Sequence, residues 1–193
     1  MAKVYADALN ITPQVIKDIQ AKIGTFLYYA RAIDITILRA LNNLSHTQNK
    51  SNQHTLKNLH HLMDYLFTKP NVCICYKASN MQLTADSDAA FLILPLAKSR
   101  VGGYFALGTN VPNNGPMYFK CKLLKQVVSS AAEAECAALY HNVNTCILIH
   151  YVLEALGHPK QQIPLKTDNS TATAFANNDL KLQHSKTWNK QYW

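Results

Sequence analysis

Apolar residues recur at helical spacing over the first seventy positions. Thr12-Pro13 is a helix start, with a hydroxyl residue at the N-cap and proline at N1. Val15, Ile16, Ile19, Ile23, Phe26 and Leu27 then follow a helical period. Asp34 can cap a second helix that carries Ile37, Leu38, Leu41 and Leu44 on one face. The polar run SHTQNKSNQ at 45–53 predicts a loop. A third helix, with Leu56, Leu59, Leu62, Met63, Leu66 and Phe67, is expected to end at Lys69-Pro70. Residues 1–70 therefore read as a small three-helix unit.

The period changes from helical to alternating at Asn71. NVCICYK and MQLTADSDAAFLIL have strand character, Gly102-Gly103 is expected to open a strand through YFAL, and MYFKCKLL predicts a further one. Gly108 and the PNNGP run at 112–116 separate the last two. A long helix is expected from about Ser130 to Leu156, stopped by Gly157 and Pro159. IPLKT predicts a short strand, and Asp168-Asn169-Ser170 a cap for a helix through TATAFANN. The tail KLQHSKTWNKQYW is basic and aromatic and reads as helical; Trp188, Tyr192 and Trp193 suit core packing more than base stacking. The expected class is α/β, a mixed sheet flanked by helices, preceded by the three-helix unit.

Composition narrows the choice. The 193 residues are 48% hydrophobic and only 16% charged, which excludes a disordered chain. Lys and Arg exceed Asp and Glu by 8, which suits a polyanionic partner without establishing one. No run approaches the roughly 20 apolar residues of a membrane helix. The opening MAKVYADALNITPQ lacks the plan of a signal peptide, so an intracellular location, cytoplasmic or nuclear, is expected. The five cysteines are then expected as reduced thiols. Neither the lone C-x-C at 73–75 nor the eight histidines form a zinc pattern.

With 11 acidic residues, each can be weighed. Asp86 and Asp88 lie two apart on a predicted strand and share a face. Glu133 and Glu135 open the long helix and point about 200° apart, so one of them faces a given site. Asp168 ends a strand at the edge where α/β sheets bind ligands. Carboxylates converging there suit Mg²⁺, which prefers oxygen donors. The plainer reading makes Asp168 a helix cap, Asp86 a solvated residue and the glutamates complements to a helix N-terminus.

The blocks TADSDAAF, KSRVGGYFALG, SSAAEAECAALY, LEALGHP, IPLKTDNSTAT and HSKTWNKQYW, in that order, resemble the ribonuclease H region of copia-type retrotransposon polyproteins. There the pattern runs S-D-A, a Gly-containing hairpin, S-S-x-E-A-E, then T/C-D-N. IGTFLYYARAIDITILRALNNLS resembles the preceding thumb-like end of the reverse transcriptase. The resemblance spans about residue 12 to the end. It implies a thumb-like remnant over 1–70 and a ribonuclease H-like domain over 71–193. It also implies two-metal hydrolysis, with Mg²⁺ or Mn²⁺, of the RNA strand of an RNA/DNA hybrid. Asp88 would bridge the ions, and Glu135 and Asp168 would complete their ligands. Arg100, Lys122, Lys125 and Asn169 are the expected nucleic-acid contacts, and no small-molecule cofactor is implied.

Two departures temper this expectation. Relatives continue into another strand and a final helix bearing a fourth carboxylate, whereas this sequence ends at Trp193. Asn189 also stands where relatives commonly have Asp. A rival reading is therefore a catalytically compromised nucleic-acid-binding fragment. No Tyr-x-Asp-Asp motif occurs, so the chain is not expected to polymerise DNA. Oligomeric state is left open by the sequence.

Overall fold

The computed structural model describes residues 11–94, 96–111, 114–177 and 179. The expectations for Asn189 and the aromatic tail lie outside the described residues. The chain divides after Ile74 into two compact units.

The first unit is helical. Helix α1 (Pro13–Ala32) starts at Thr12 with proline in its first turn, although the Thr12 hydroxyl makes no cap bond. Asp34 accepts from the Thr36 amide at 2.9 Å and caps a short 3₁₀ turn, which leads into α2 (Leu38–Thr47). The polar run at 45–53 is a correction to the expected loop. Ser45, Thr47 and Ser51 turn their hydroxyls back onto the carbonyls of Asn42, Leu44 and Gln48, so the backbone stays helical or 3₁₀ through Lys50. Asn52 then caps α3 (Gln53–Thr68) in a reciprocal capping box with Thr55. Ile19, Ile23, Ile37, Leu41, Leu44, Leu59 and Leu62 form one core. Met63 and Phe67 do not join them; Phe67 is 86% exposed. Leu59→Ala, at a position with no exposure, is expected to cost about 2–5 kcal/mol, read from the urea midpoint of the helical signal.

The second unit carries a four-stranded sheet in the order β3-β2-β1-β4. Strands β1 (Leu83–Leu94), β2 (Lys98–Leu107) and β3 (Pro116–Leu123) form an antiparallel meander. Helix α4 (Ala131–Ala155) crosses to β4 (Leu165–Lys166), which lies parallel to β1 and is followed by α5 (Ser170–Ala176). This is the mixed-sheet α/β architecture expected of a ribonuclease H-like domain.

Two strand expectations are corrected. NVCICYK is not a strand of the sheet; at its last residue the Asn114 carboxamide accepts from the Lys77 amide at 2.7 Å and donates to the Lys77 carbonyl at 3.1 Å, as a neighbouring strand would. Gly102 and Gly103 lie within β2, which starts at Lys98.

Alternation decides the faces of β1. Leu83, Ala85, Ser87 and Ala89 turn toward α4, where Ala85 and Leu83 pack with Cys146 and Leu153. Asp86 and Asp88 turn the other way and are exposed.

None of the five cysteines is disulfide-bonded. Cys136 and Cys146 are buried, and burial pushes both thiols up to about 11. Cys73 and Cys75 are exposed, and Cys121 is half-buried. Iodoacetamide at neutral pH is therefore expected to label Cys73 and Cys75 and to spare Cys136 and Cys146 until the chain is unfolded, as mapped by peptide mass spectrometry.

Candidate metal centre

Three carboxylates meet at the end of β4. Leu165 and Lys166 pair with Ala85 and Asp86. Carrying that offset two residues on brings Asp168 level with Asp88. The Ala85 amide donates to the Pro164 carbonyl at 3.0 Å, so amides of the same parity on β1 point toward β4. Because β4 stops at Lys166, the offset gives Ser87 a partner on β4 but leaves the amide of Ala89 with no strand to bond. Glu135, in the first turns of α4, fills the gap: its Oε1 accepts from the Ala89 amide at 3.0 Å. Its Oε2 lies 3.5 Å from the Thr167 hydroxyl. One oxygen from each of Asp88, Glu135 and Asp168 lies within 4.8 Å of the others.

The environments of the three differ. Asp88 and Asp168 are exposed, whereas Glu135 is buried. Burial raises the Glu135 carboxyl above its ordinary range, and the charges of Asp88 and Asp168 add to that; the Ala89 and Thr167 bonds oppose it. A cluster of hard oxygens whose mutual repulsion a cation would relieve suits Mg²⁺ or Mn²⁺. Two oxygens on opposite sides of one Mg²⁺ are about 4.2 Å apart, so a small swing of the exposed carboxylates closes the set.

The other acidic residues are placed elsewhere. Asp86 is exposed and opposite Tyr104, whose hydroxyl it helps to hold above its ordinary range after burial. Glu133 is turned away from the cluster: its Oε2 accepts from the Ser129 amide at 2.7 Å and hydroxyl at 2.6 Å. With the Ser130 hydroxyl on the Glu133 amide, this pair closes the start of α4. Asp168 is not the cap of α5; Asn169 is, its Oδ1 accepting from the Ala172 amide at 2.9 Å.

The expected nucleic-acid contacts divide. Lys122 and Lys125 are exposed. Arg100 is a correction: it sits mid-strand between Ala90 and Leu123 and is only 5% exposed, so its guanidinium is not displayed at the surface. Lys120 is also withdrawn, donating to the His141 carbonyl at 2.7 Å above the Phe105 ring. Burial and the Lys122 charge bring its ammonium down to about 8. Asn169 has its carboxamide oxygen committed to the cap.

Sequence reasoning missed Asn142 and Thr167. Asn142 has no exposure at all and lies two helical turns after Glu135, hence on the same face. A lone asparagine on the apolar side of a helix was the available signal. Among the described residues, no helix is long and apolar enough to cross a membrane.

No family model matches the chain, and no curated protein matches it. Among solved structures, the crystal structure of LC11 ribonuclease H1 in complex with an RNA/DNA hybrid is similar at a TM-score of 0.41 and 9% identity. The match covers 54% of this chain and 67% of that one.

Proposed function

We propose that the second unit is a ribonuclease H-like nuclease domain that hydrolyses the RNA strand of an RNA/DNA hybrid with Mg²⁺ or Mn²⁺. We further propose that the chain is a piece of a copia-type retroelement polyprotein, the first unit being a thumb-like remnant. The observation that carries the reading is the meeting of Asp88, Glu135 and Asp168 from β1, α4 and the end of β4.

In this reading Asp88, Glu135 and Asp168 hold the ions. Bound divalent ions supply charge stabilisation to the attacking and leaving oxygens of a phosphodiester. The chain's own share is to fix the carboxylates. Glu135 is anchored through Ala89, Asp88 by the β1–β2 ladder, and Asp168 by the turn that Asn169 closes. The exposed Lys122 and Lys125, with the positive surplus, would meet backbone phosphates rather than bases.

The test is a cleavage assay on a labelled hybrid with Mn²⁺, Mg²⁺ or chelator, set beside duplex DNA. RNA-strand cutting with either cation and none with chelator is expected. A second reading, a binder without catalysis, is favoured by the convergence of three rather than four carboxylates among the described residues. It predicts hybrid binding that weakens steeply with salt and no cutting at any cation concentration.

A further inference from the structure

The polar contact between α4 and the sheet is concentrated around Asp88. Asn142 donates through Nδ2 to the Ser87 hydroxyl at 2.9 Å and to the Gly102 carbonyl at 2.8 Å. Ser87 precedes Asp88 in the chain, and Gly102 is its cross-strand partner. Two turns earlier on the same face, Glu135 holds the amide of Ala89, the residue after Asp88. The helix therefore grips β1 and β2 on both sides of that carboxylate.

The grip is bought at a structural cost. Asn142 is fully buried, and its Oδ1 has no hydrogen-bond partner among the described residues. A buried acceptor left unpaired is unfavourable. The carboxamide also demands a bare backbone opposite it, since a Cβ on Gly103 would stand 2.5 Å from Oδ1 and 3.0 Å from Cγ. An apolar side chain of similar size would fill the site without leaving an acceptor unpaired.

We propose that Asn142 is a positioning residue for the carboxylate site, setting the distance from α4 to β1 and so the separation of Glu135 from Asp88. This rests on the reading of the three carboxylates as a cation site. Asn142 touches no ion and no substrate; it acts through Ser87, Gly102 and the backbone that carries Asp88.

The experiment is a calorimetric titration of the full chain with Mn²⁺, run beside a thermal melt. Asn142→Leu keeps the branched outline with bulkier methyl ends and cannot donate. Asn142→Ala combined with Gly103→Ala lets the new Cβ occupy the space left by the carboxamide. Each is expected to keep a cooperative melt and to bind Mn²⁺ about tenfold or more weakly. Folded variants whose Mn²⁺ affinity stays within twofold of the wild type would overturn the proposal. Ser87→Ala, which deletes one hydroxyl, decides the matter if the Asn142 variants do not fold: a several-fold loss supports positioning, and an unchanged affinity overturns it. A wild-type chain that binds no Mn²⁺ sinks the cation-site reading itself, and the proposal with it.

Discussion

Asp88→Asn and Asp168→Asn are each expected to lower Mn²⁺-dependent cutting of a hybrid by at least about a hundredfold. A bound divalent ion is worth several kcal/mol of transition-state charge stabilisation, and each 1.36 kcal/mol is tenfold in rate. Asparagine keeps the shape of the side chain but removes the charge that holds the ion. Both positions are exposed, so the fold should tolerate the change and the melting midpoint should move little. Asp86→Asn is the internal comparison. Asp86 shares the strand and the face of Asp88 but lies outside the cluster, so its variant is expected to keep most of the activity. Equal rates for wild type, Asp88→Asn and Asp168→Asn would remove the carboxylate site from the mechanism. A large loss for Asp86→Asn would mean that the site extends along β1.

Glu135→Gln is expected to stabilise the cation-free chain at pH 7 while abolishing most of its response to Mn²⁺. Burial and two neighbouring carboxylates raise the Glu135 carboxyl in the folded state. Between its ordinary value and that raised value, the native chain holds more protons than the unfolded one. Stability therefore falls as pH rises through the interval. Below it, glutamate and glutamine should melt alike; above it, the glutamine variant should melt higher. A cation reverses the order, since ligand at a hundredfold excess over its dissociation constant adds about 2.7 kcal/mol to a chain that binds it. Melts at pH 4 and pH 7, with and without Mn²⁺, give the four values needed for each chain. Identical midpoints for both chains at both pH values, or a larger Mn²⁺ gain in Glu135→Gln, would contradict the argument.

Much of this architecture was legible in residue order. The helical period of Ile19, Ile23, Leu41 and Leu59 led directly to the core of the first unit. Scarcity and place in their elements narrowed the carboxylates to Asp86 and Asp88, Glu133 and Glu135, and Asp168, and the family resemblance then picked Asp88 and Glu135 from the two pairs. What failed was local satisfaction of polar groups by side chains. The NVCICYK run alternates like a strand, yet it joins no sheet, and at Lys77 one asparagine, Asn114, makes both bonds that a neighbouring strand would have given. SHTQNKSNQ reads as loop, yet its hydroxyls are absorbed by the carbonyls of the preceding turn. Arg100 reads as surface because arginine usually is, and only the register that places it between Ala90 and Leu123 shows otherwise. Asn142 was invisible for a related reason: its partners are 55 and 40 residues away.

The shortness of β4 sets two kinds of bonding against each other. The amide of Ala89 is available to Glu135 only because the parallel ladder stops two residues earlier. One more step of pairing would hand that amide to the carbonyl of Asp168 and evict the glutamate. The carboxylate cluster and a longer fourth strand are therefore mutually exclusive states of the same few atoms. A substitution that encourages strand at Thr167 and Asp168 would dismantle the centre without touching any of its three side chains.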